Sequence, residues 1–269
     1  MQIEFYLDIQ SLKGKLMKSI VTDIKVRGDK AIEQIPSIKD KALRINLNES
    51  IYGTFAEIGA GQETVRNFFR AGASSGTIAK AMSAYDKDFS DAIYGVEEDG
   101  RYVTESRLKK MLTHEINLVE QRLSRDKHPN KLFFSYANTV ATIDFAKQYK
   151  GHGWVGIVYQ VEPDEAYNEI TLHIRFKEND AKLQQETLGI LGVNLIYGAF
   201  YKYNDPKKLL RYLYDHLDKD QLEIDTINFS GPRFADVDNR LMSLQLVKNG
   251  MTDAVMFGPD GKNILPAAV

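Results

Sequence analysis

"FAEIGAGQETVRNFF", residues 55–69, decides how the first half of this chain is read. A short apolar run ends at Gly59 and Gly61, and a helical pattern begins directly after them. A strand that turns through glycines into a helix is a common opening unit of α/β folds. Two purposes compete for such a turn. Free backbone N–H groups at the positive end of a helix can hold an anion or an adenosine-type cofactor. Alternatively, the glycines serve only a backbone geometry closed to other residues.

Outward from the turn, "YGTFAEI" reads as the strand, and helices are expected at about 62–71 and 75–85, separated by "AGASSG". Upstream, Leu12, Leu16, Ile20 and Ile24 form one stripe of a helix over 8–26, and a short helix over 30–35 is expected to end at Pro36. Residues 42–58 look partly extended. Downstream, "TESRLKKMLTHEINLVEQRLSR" (104–125) is a helix with Thr104 as N-cap. "DKHPNK" then divides a mainly helical part, 1–126, from an α/β part, 127–269. In the second part "KLFFSYANTVA", "GWVGIVYQV", "NEITLHIRF" and "LEIDTINFSG" are rich in aromatic and β-branched residues and read as strands, with helical patterns between them. The fold class expected is α/β: a helical N-terminal part, then a mixed sheet with flanking helices. Residues 251–269 read as a strand, a turn at Gly258–Gly261 and a strand just starting, so the α/β part is expected to continue in a longer protein.

A chain of 269 residues with 43% apolar and 27% charged residues is ordinary for a globular protein. Its net charge of −2 offers no broad field to a nucleic acid or an anionic membrane. Having no cysteine, it can hold no disulfide, thiol nucleophile or thiolate metal site. No stretch is long and apolar enough to span a bilayer as a helix, and the expected location is the cytoplasm.

Three segments carry chemistry. In the first, the run "EIGAG" resembles the cofactor motif of S-adenosylmethionine-dependent methyltransferases, which implies Glu57, Gly59, Gly61 and Gln62 at the cofactor and Asp86 as the ribose-binding acid. The third glycine is replaced by Glu63, and "SSGTIAKAM" reads as helix where a strand should precede the acid. In the second, "YKGHGWVG" (149–156) keeps Gly151 and His152 of the adenylyl-transfer signature but lacks its first residue, half of the imidazole pair that steadies the transferred phosphate. In the third, "FSGPRFADVDNR" (229–240), Asp236, Asp238 and Asn239 are close-spaced hard oxygen ligands suited to Mg2+, and Arg233 and Arg240 suit a phosphate. This loop is expected at the ligand-binding end of its strand; the competing reading is a solvated loop with Asp238 capping the next helix. His173 alternates within a strand and reads as a surface or core histidine.

The stretches around residues 51–95 and 227–261 resemble a bacterial family of Bacteroidetes and cyanobacteria, and the resemblance extends over essentially the whole chain. Its members are generally longer and carry two discordant labels, nicotinate-nucleotide adenylyltransferase and TonB-dependent receptor. The second implies an exported barrel with many strands of alternating polarity, which this sequence lacks. The resemblance identifies a family rather than an activity; the residues themselves favour a nucleotide-handling enzyme, loosely adenylyltransferase-like, with Gly59 and Gly61 near phosphate or ribose, Arg233, Asp236 and Asp238 as catalytic groups and Mg2+ on the two aspartates. Two alternatives stand beside it: a methyltransferase-like cofactor binder, and a non-catalytic assembly or regulatory protein, possible as a homo-oligomer through "NLIYGAFYKYNDPKKLLRYLYDHL" unless that stretch is a buried helix pair.

Overall fold

The computed structural model describes residues 35–267; the helices expected at 8–26 and 30–35 fall outside that range, apart from Ile35. Helix α1 (Ile38–Asn46) starts at Ser37, whose Oγ accepts from the Asp40 N–H at 3.1 Å. Serine followed three residues later by an acid is a helix start. Pro36 therefore precedes a helix, and residues 42–46 are helical where extended chain was expected.

Strand β1 (Ile51–Ile58) runs into the glycine turn, α2 (Glu63–Ala71) follows, and β2 (Ile78–Met82) returns parallel to β1. The helix expected over 75–85 is thus mainly a strand. Ala79, Lys80, Ala81 and Met82 favour helix in isolation, but pairing with β1 at the sheet edge overrides that preference. Helices α3 (Lys87–Tyr94) and α4 (Glu105–Arg122) lead to β3 (Leu132–Ala141), parallel to β1 on its other side. Thr104 caps α4 as expected, accepting from the Arg107 N–H at 3.1 Å.

The rest of the sheet is antiparallel: β4 (His152–Tyr159), β5 (Asn168–Phe176) and, after α5 (Ala181–Tyr201) and α6 (Pro206–Leu213), β6 (Leu222–Ser230). The order is β2-β1-β3-β4-β5-β6. Helix α7 (Asn239–Lys248) and a hairpin of β7 (Met256–Phe257) and β8 (Ile264–Leu265) complete the described chain. The fold is α/β, a mixed sheet with helices on both faces. β1 and β2, which precede residue 126, and β3–β6, which follow it, belong to one sheet.

Period-two alternation sorts the strand side chains into two apolar layers. Phe55, Phe134, Tyr136, Val155, Ile157, Ile170 and Leu172 pack with residues of α1, α2, α5, α6 and α7. Ala56, Phe133, Ala137, Trp154 and Val158 pack under α4. The stretch considered for a subunit contact is a buried helix pair: α5 is buried along most of its length, and Leu209, Leu210 and Leu213 of α6 are fully covered.

Strand direction sorts the loops to two edges. β1 leaves to β2 on one side and the chain re-enters at β3 on the other, so the crossovers diverge at the carboxyl ends of β1 and β3. In α/β sheets that is where ligands bind. Gly59–Gly61, the 142–151 loop, His152, Phe176 and Leu222 lie at this edge, and Ile51, Leu132, Tyr159, Asn168 and Ser230 at the other.

Candidate functional site

The glycine turn is occupied by its own chain. Glu57 is completely buried, and its carboxylate accepts from the backbone N–H groups of Thr64 (3.2 Å) and Val65 (2.8 Å) and from Asn138 Nδ2 (3.2 Å). The positive end of α2, where a phosphate would bind, is therefore capped from within. Helix α5 seals it: a Cβ on Gly189 would lie 2.8 Å from Glu63 Cβ, and one on Gly192 would lie 2.3 Å from Thr64 Oγ1. Burial raises the Glu57 pKa to about 7, against the opposing pull of the two N–H groups, the Thr64 side chain and Asn138.

Both glycines have structural reasons. At Gly59 φ is +94° and an added Cβ would fall 1.8 Å from the Val140 carbonyl oxygen on β3. At Gly61 φ is +72°, and its N–H donates to Tyr85 Oη at 2.6 Å. Gln62 takes the N-cap position of α2 without a side-chain cap bond. Asp86 lies beyond β2, as a ribose-binding acid should, but its carboxylate caps α3 through the Phe89 N–H at 2.8 Å.

The third segment lies at the other edge. β6 runs antiparallel to β5, so its carboxyl end and the 231–238 loop sit opposite the glycine turn rather than on the ligand side. The strands between them have eight to ten residues, and eight span roughly 26 Å, beyond the reach of one mononucleotide. Arg233 is held by Glu165 (2.6 Å) and Glu162 (2.8 Å), which raise its pKa. Asp238 caps α7 through the Arg240 N–H and pairs with the Arg240 guanidinium, which lowers its pKa. Asp236 is exposed. Among the described residues no three His, Asp or Glu side chains converge as a metal site.

A polar line that the sequence reading did not assemble lies at the ligand edge. It begins at Asp225 on β6, passes through His173 on β5 and ends at His152, the first residue of β4. Asp225 Oδ1 is 2.8 Å from His173 Nδ1, and His173 Nε2 is 3.3 Å from His152 Nδ1. Asp225 and His173 are 2% and 1% exposed, whereas His152 is partly open. The register slips between His173 and Ile174, which face Thr226 and Ile224, so Asp225 is the extra residue of a bulge. Bulges re-aim side chains in this way. Asp225 Oδ2 also accepts from the Ala267 N–H at 3.2 Å and lies 3.4 Å from Arg175 Nε, while Arg175 Nη2 donates to Glu223 at 2.8 Å. The Trp154 ring packs on His173 with centroids 5.0 Å apart. Burial, with His173 alongside, holds the His152 pKa below the usual histidine value, against the pull of Asp225.

A second imidazole, His173 from β5, thus stands beside His152. The signal for it was the polar alternation Glu169, Thr171, His173 and Arg175 along β5, with Glu223 and Asp225 in β6. Around the same edge Tyr85, Phe145 and Tyr149 are exposed at 62%, 106% and 74%. The 142–151 loop that carries two of them is tied to α5, since the Ile143 N–H donates to Gln184 Oε1 at 2.7 Å. A cavity of about 700 Å³ lies farther along this side, lined by Glu178, Tyr214, Lys219, Gln221 and Asn249 among others.

No family model matches the chain. No curated protein matches it either. Among solved structures it is similar to a competence-damaged protein (CinA) superfamily protein from Enterobacter cloacae, at 11% identity and a TM-score of 0.42, over 65% of this chain and 98% of that one. It is also similar to the competence/damage-inducible protein CihA from Agrobacterium tumefaciens (13%, 0.39, 61% and 97%) and to a CinA superfamily protein from Escherichia coli (12%, 0.39, 70% and 95%).

Proposed function

We propose that this protein is an enzyme that uses His152 as a general base at the carboxyl edge of β1, β3 and β4, with a nucleotide as its substrate. The observation that carries the reading is the Asp225–His173–His152 line. An ionised Asp225 only accepts, so His173 Nδ1 bears a proton. With both rings neutral, His173 Nε2 is bare and accepts from His152 Nδ1–H, which leaves His152 Nε2 as a bare, proton-accepting nitrogen. When that nitrogen takes a proton, the Nδ1 proton can pass to His173 and bring the positive charge beside Asp225. His173 and Asp225 are positioning residues, in the way a carboxylate orients the histidine of a hydrolytic triad.

The substrate class rests on the three exposed aromatic rings at the edge, since base–aromatic stacking contributes about 1–3 kcal/mol per base. Magnesium, where the reaction needs it, would arrive with the nucleotide phosphates, because Asp238 is engaged with Arg240 and α7. The test is thermal unfolding with ATP, nicotinate and nicotinamide mononucleotides and NAD, each with and without magnesium, and with S-adenosylmethionine. A ligand at about 100 times its Kd adds about 2.7 kcal/mol, which raises Tm by roughly 5 °C or more. A mononucleotide shift that shrinks in Tyr149→Ala is expected. Silence across the panel overturns the nucleotide reading. Silence with a mass that rises with concentration favours the assembly reading, for which the fully exposed Phe145 is the specific observation. A shift with S-adenosylmethionine alone favours the methyltransferase-like one.

A further inference from the structure

His152 and His173 face each other with two ring nitrogens 3.3 Å apart. That separation holds the one hydrogen bond described above, at the long end for an N–H donor. It matches another geometry: two nitrogens each about 2.0–2.1 Å from one tetrahedral ion stand roughly 3.3–3.4 Å apart. The surroundings fit the same geometry. His173 gives its other ring nitrogen to a carboxylate, Asp225, at 2.8 Å, the arrangement that orients metal-ligating histidines. The Trp154 ring walls one side of His173, and Asp225 is itself fixed by the Ala267 N–H and faced by Arg175.

We propose that His152 Nδ1 and His173 Nε2 form a chelating pair for a borderline-soft divalent cation of the zinc class. Imidazole nitrogen suits zinc, copper, iron and nickel, whereas magnesium and calcium take oxygen ligands. Among the described residues no third His, Asp or Glu joins the pair, so the remaining coordination positions go to water or to a bound ligand. On binding, the proton on His152 Nδ1 is displaced and Nε2 takes one up from solvent, so no net proton is released and both imidazoles ligate as neutral rings. The ion thereby takes the place of the proton that keeps His152 Nε2 bare, and it switches off the base proposed above. The chelating pair rests on the two nitrogens and does not require that a nucleotide bind.

Trp154 supplies the readout. It is the only tryptophan in the chain and lies against His173, so a paramagnetic ion held by the pair quenches its fluorescence. Metal-stripped whole protein is titrated with Co2+ while Trp154 emission is followed, and Zn2+ is then added as competitor. The expected result is saturable quenching at one Co2+ per chain, reversed by Zn2+, abolished in His152→Ala and retained in His114→Ala and His216→Ala. Asp225→Asn should weaken it about 10- to 100-fold. Absence of saturable quenching in the wild type up to about 1 mM Co2+, well above the affinity of a useful site, overturns the proposal. So does unchanged quenching in His152→Ala. The wild-type titration decides the matter even where a variant folds poorly. A silent nucleotide panel beside a positive Co2+ titration would remove the substrate reading alone, and the reverse result the metal alone.

Discussion

Replacing Gly59 by alanine separates a turn built for the fold from one built for a ligand. The added Cβ would fall 1.8 Å from the Val140 carbonyl oxygen, a backbone atom at the carboxyl end of the β1–β3 pairing, and φ is +94°. A left-handed backbone costs an L-residue about 1–2 kcal/mol. Forcing a methyl group into filled space adds about 1–3 kcal/mol, so the total is roughly 2–5 kcal/mol. At Gly61 φ is +72°, but the nearest atom is the far end of the Gln185 side chain at 3.2 Å. That side chain can move, and only the backbone term of about 1–2 kcal/mol remains. The assay is urea unfolding of wild type, Gly59→Ala and Gly61→Ala without ligand. With m near 3 kcal/mol/M, the Gly59 variant should unfold about 0.7–1.7 M earlier and the Gly61 variant about half a molar earlier. Equal losses at the two positions, or a Gly59 variant as stable as wild type, would refute the reasoning.

Glu57 gives a pH signature. Its folded pKa, about 7, lies above the ordinary glutamate value of 4.5, so its stabilisation is full below pH 4.5 and is lost as pH rises to 7. The loss is about 1.4 kcal/mol per unit, about 3 kcal/mol in all. Glu57→Gln should flatten this part of a urea midpoint-versus-pH profile, and an unchanged slope would assign it elsewhere. Lys41, fully buried on Asp215 at 2.5 Å and Asn194 at 2.7 Å, should cost about 3–5 kcal/mol when changed to methionine, because Asp215 is left buried without its partner. Lys41→Met with Asp215→Leu should recover part of that loss in thermal unfolding. Asp238→Ala should cost about 1 kcal/mol through the lost α7 cap. The same variant should leave any magnesium-dependent nucleotide shift unchanged; loss of that shift would return the metal to this loop.

Much of the fold was legible because local and tertiary demands agree. β3 to β6 combine β-branched and aromatic residues with turns at both ends, and α4 combines a threonine cap with a broad apolar face. Where the two demands diverge, local reading misled. "IAKAM" has helix-forming residues and is a strand only because β1 offers a partner. Ser37 and Asp40 mark the start of α1, yet in the sequence residues 42–46 read as partly extended. The candidate site was less visible for a topological reason. Whether the loop at Arg233 shares an edge with Gly59 depends on strand direction, which pairing decides and local pattern does not. His173 and Asp225 are 52 residues apart and meet only through the β5–β6 register. Glu57 was legible as an acid before a glycine turn, but its target, the start of α2, is internal.

Histidine-selective 15N NMR of the ligand-free, metal-free protein tests the central claim most directly, because it reports which ring nitrogens bear protons. The Asp225–His173–His152 line predicts that neutral His152 is held as the Nδ1–H tautomer with Nε2 bare, that His173 is protonated at Nδ1, and that Asp225→Asn disturbs both rings together. A His152 ring averaging freely between tautomers and indifferent to Asp225→Asn would contradict it.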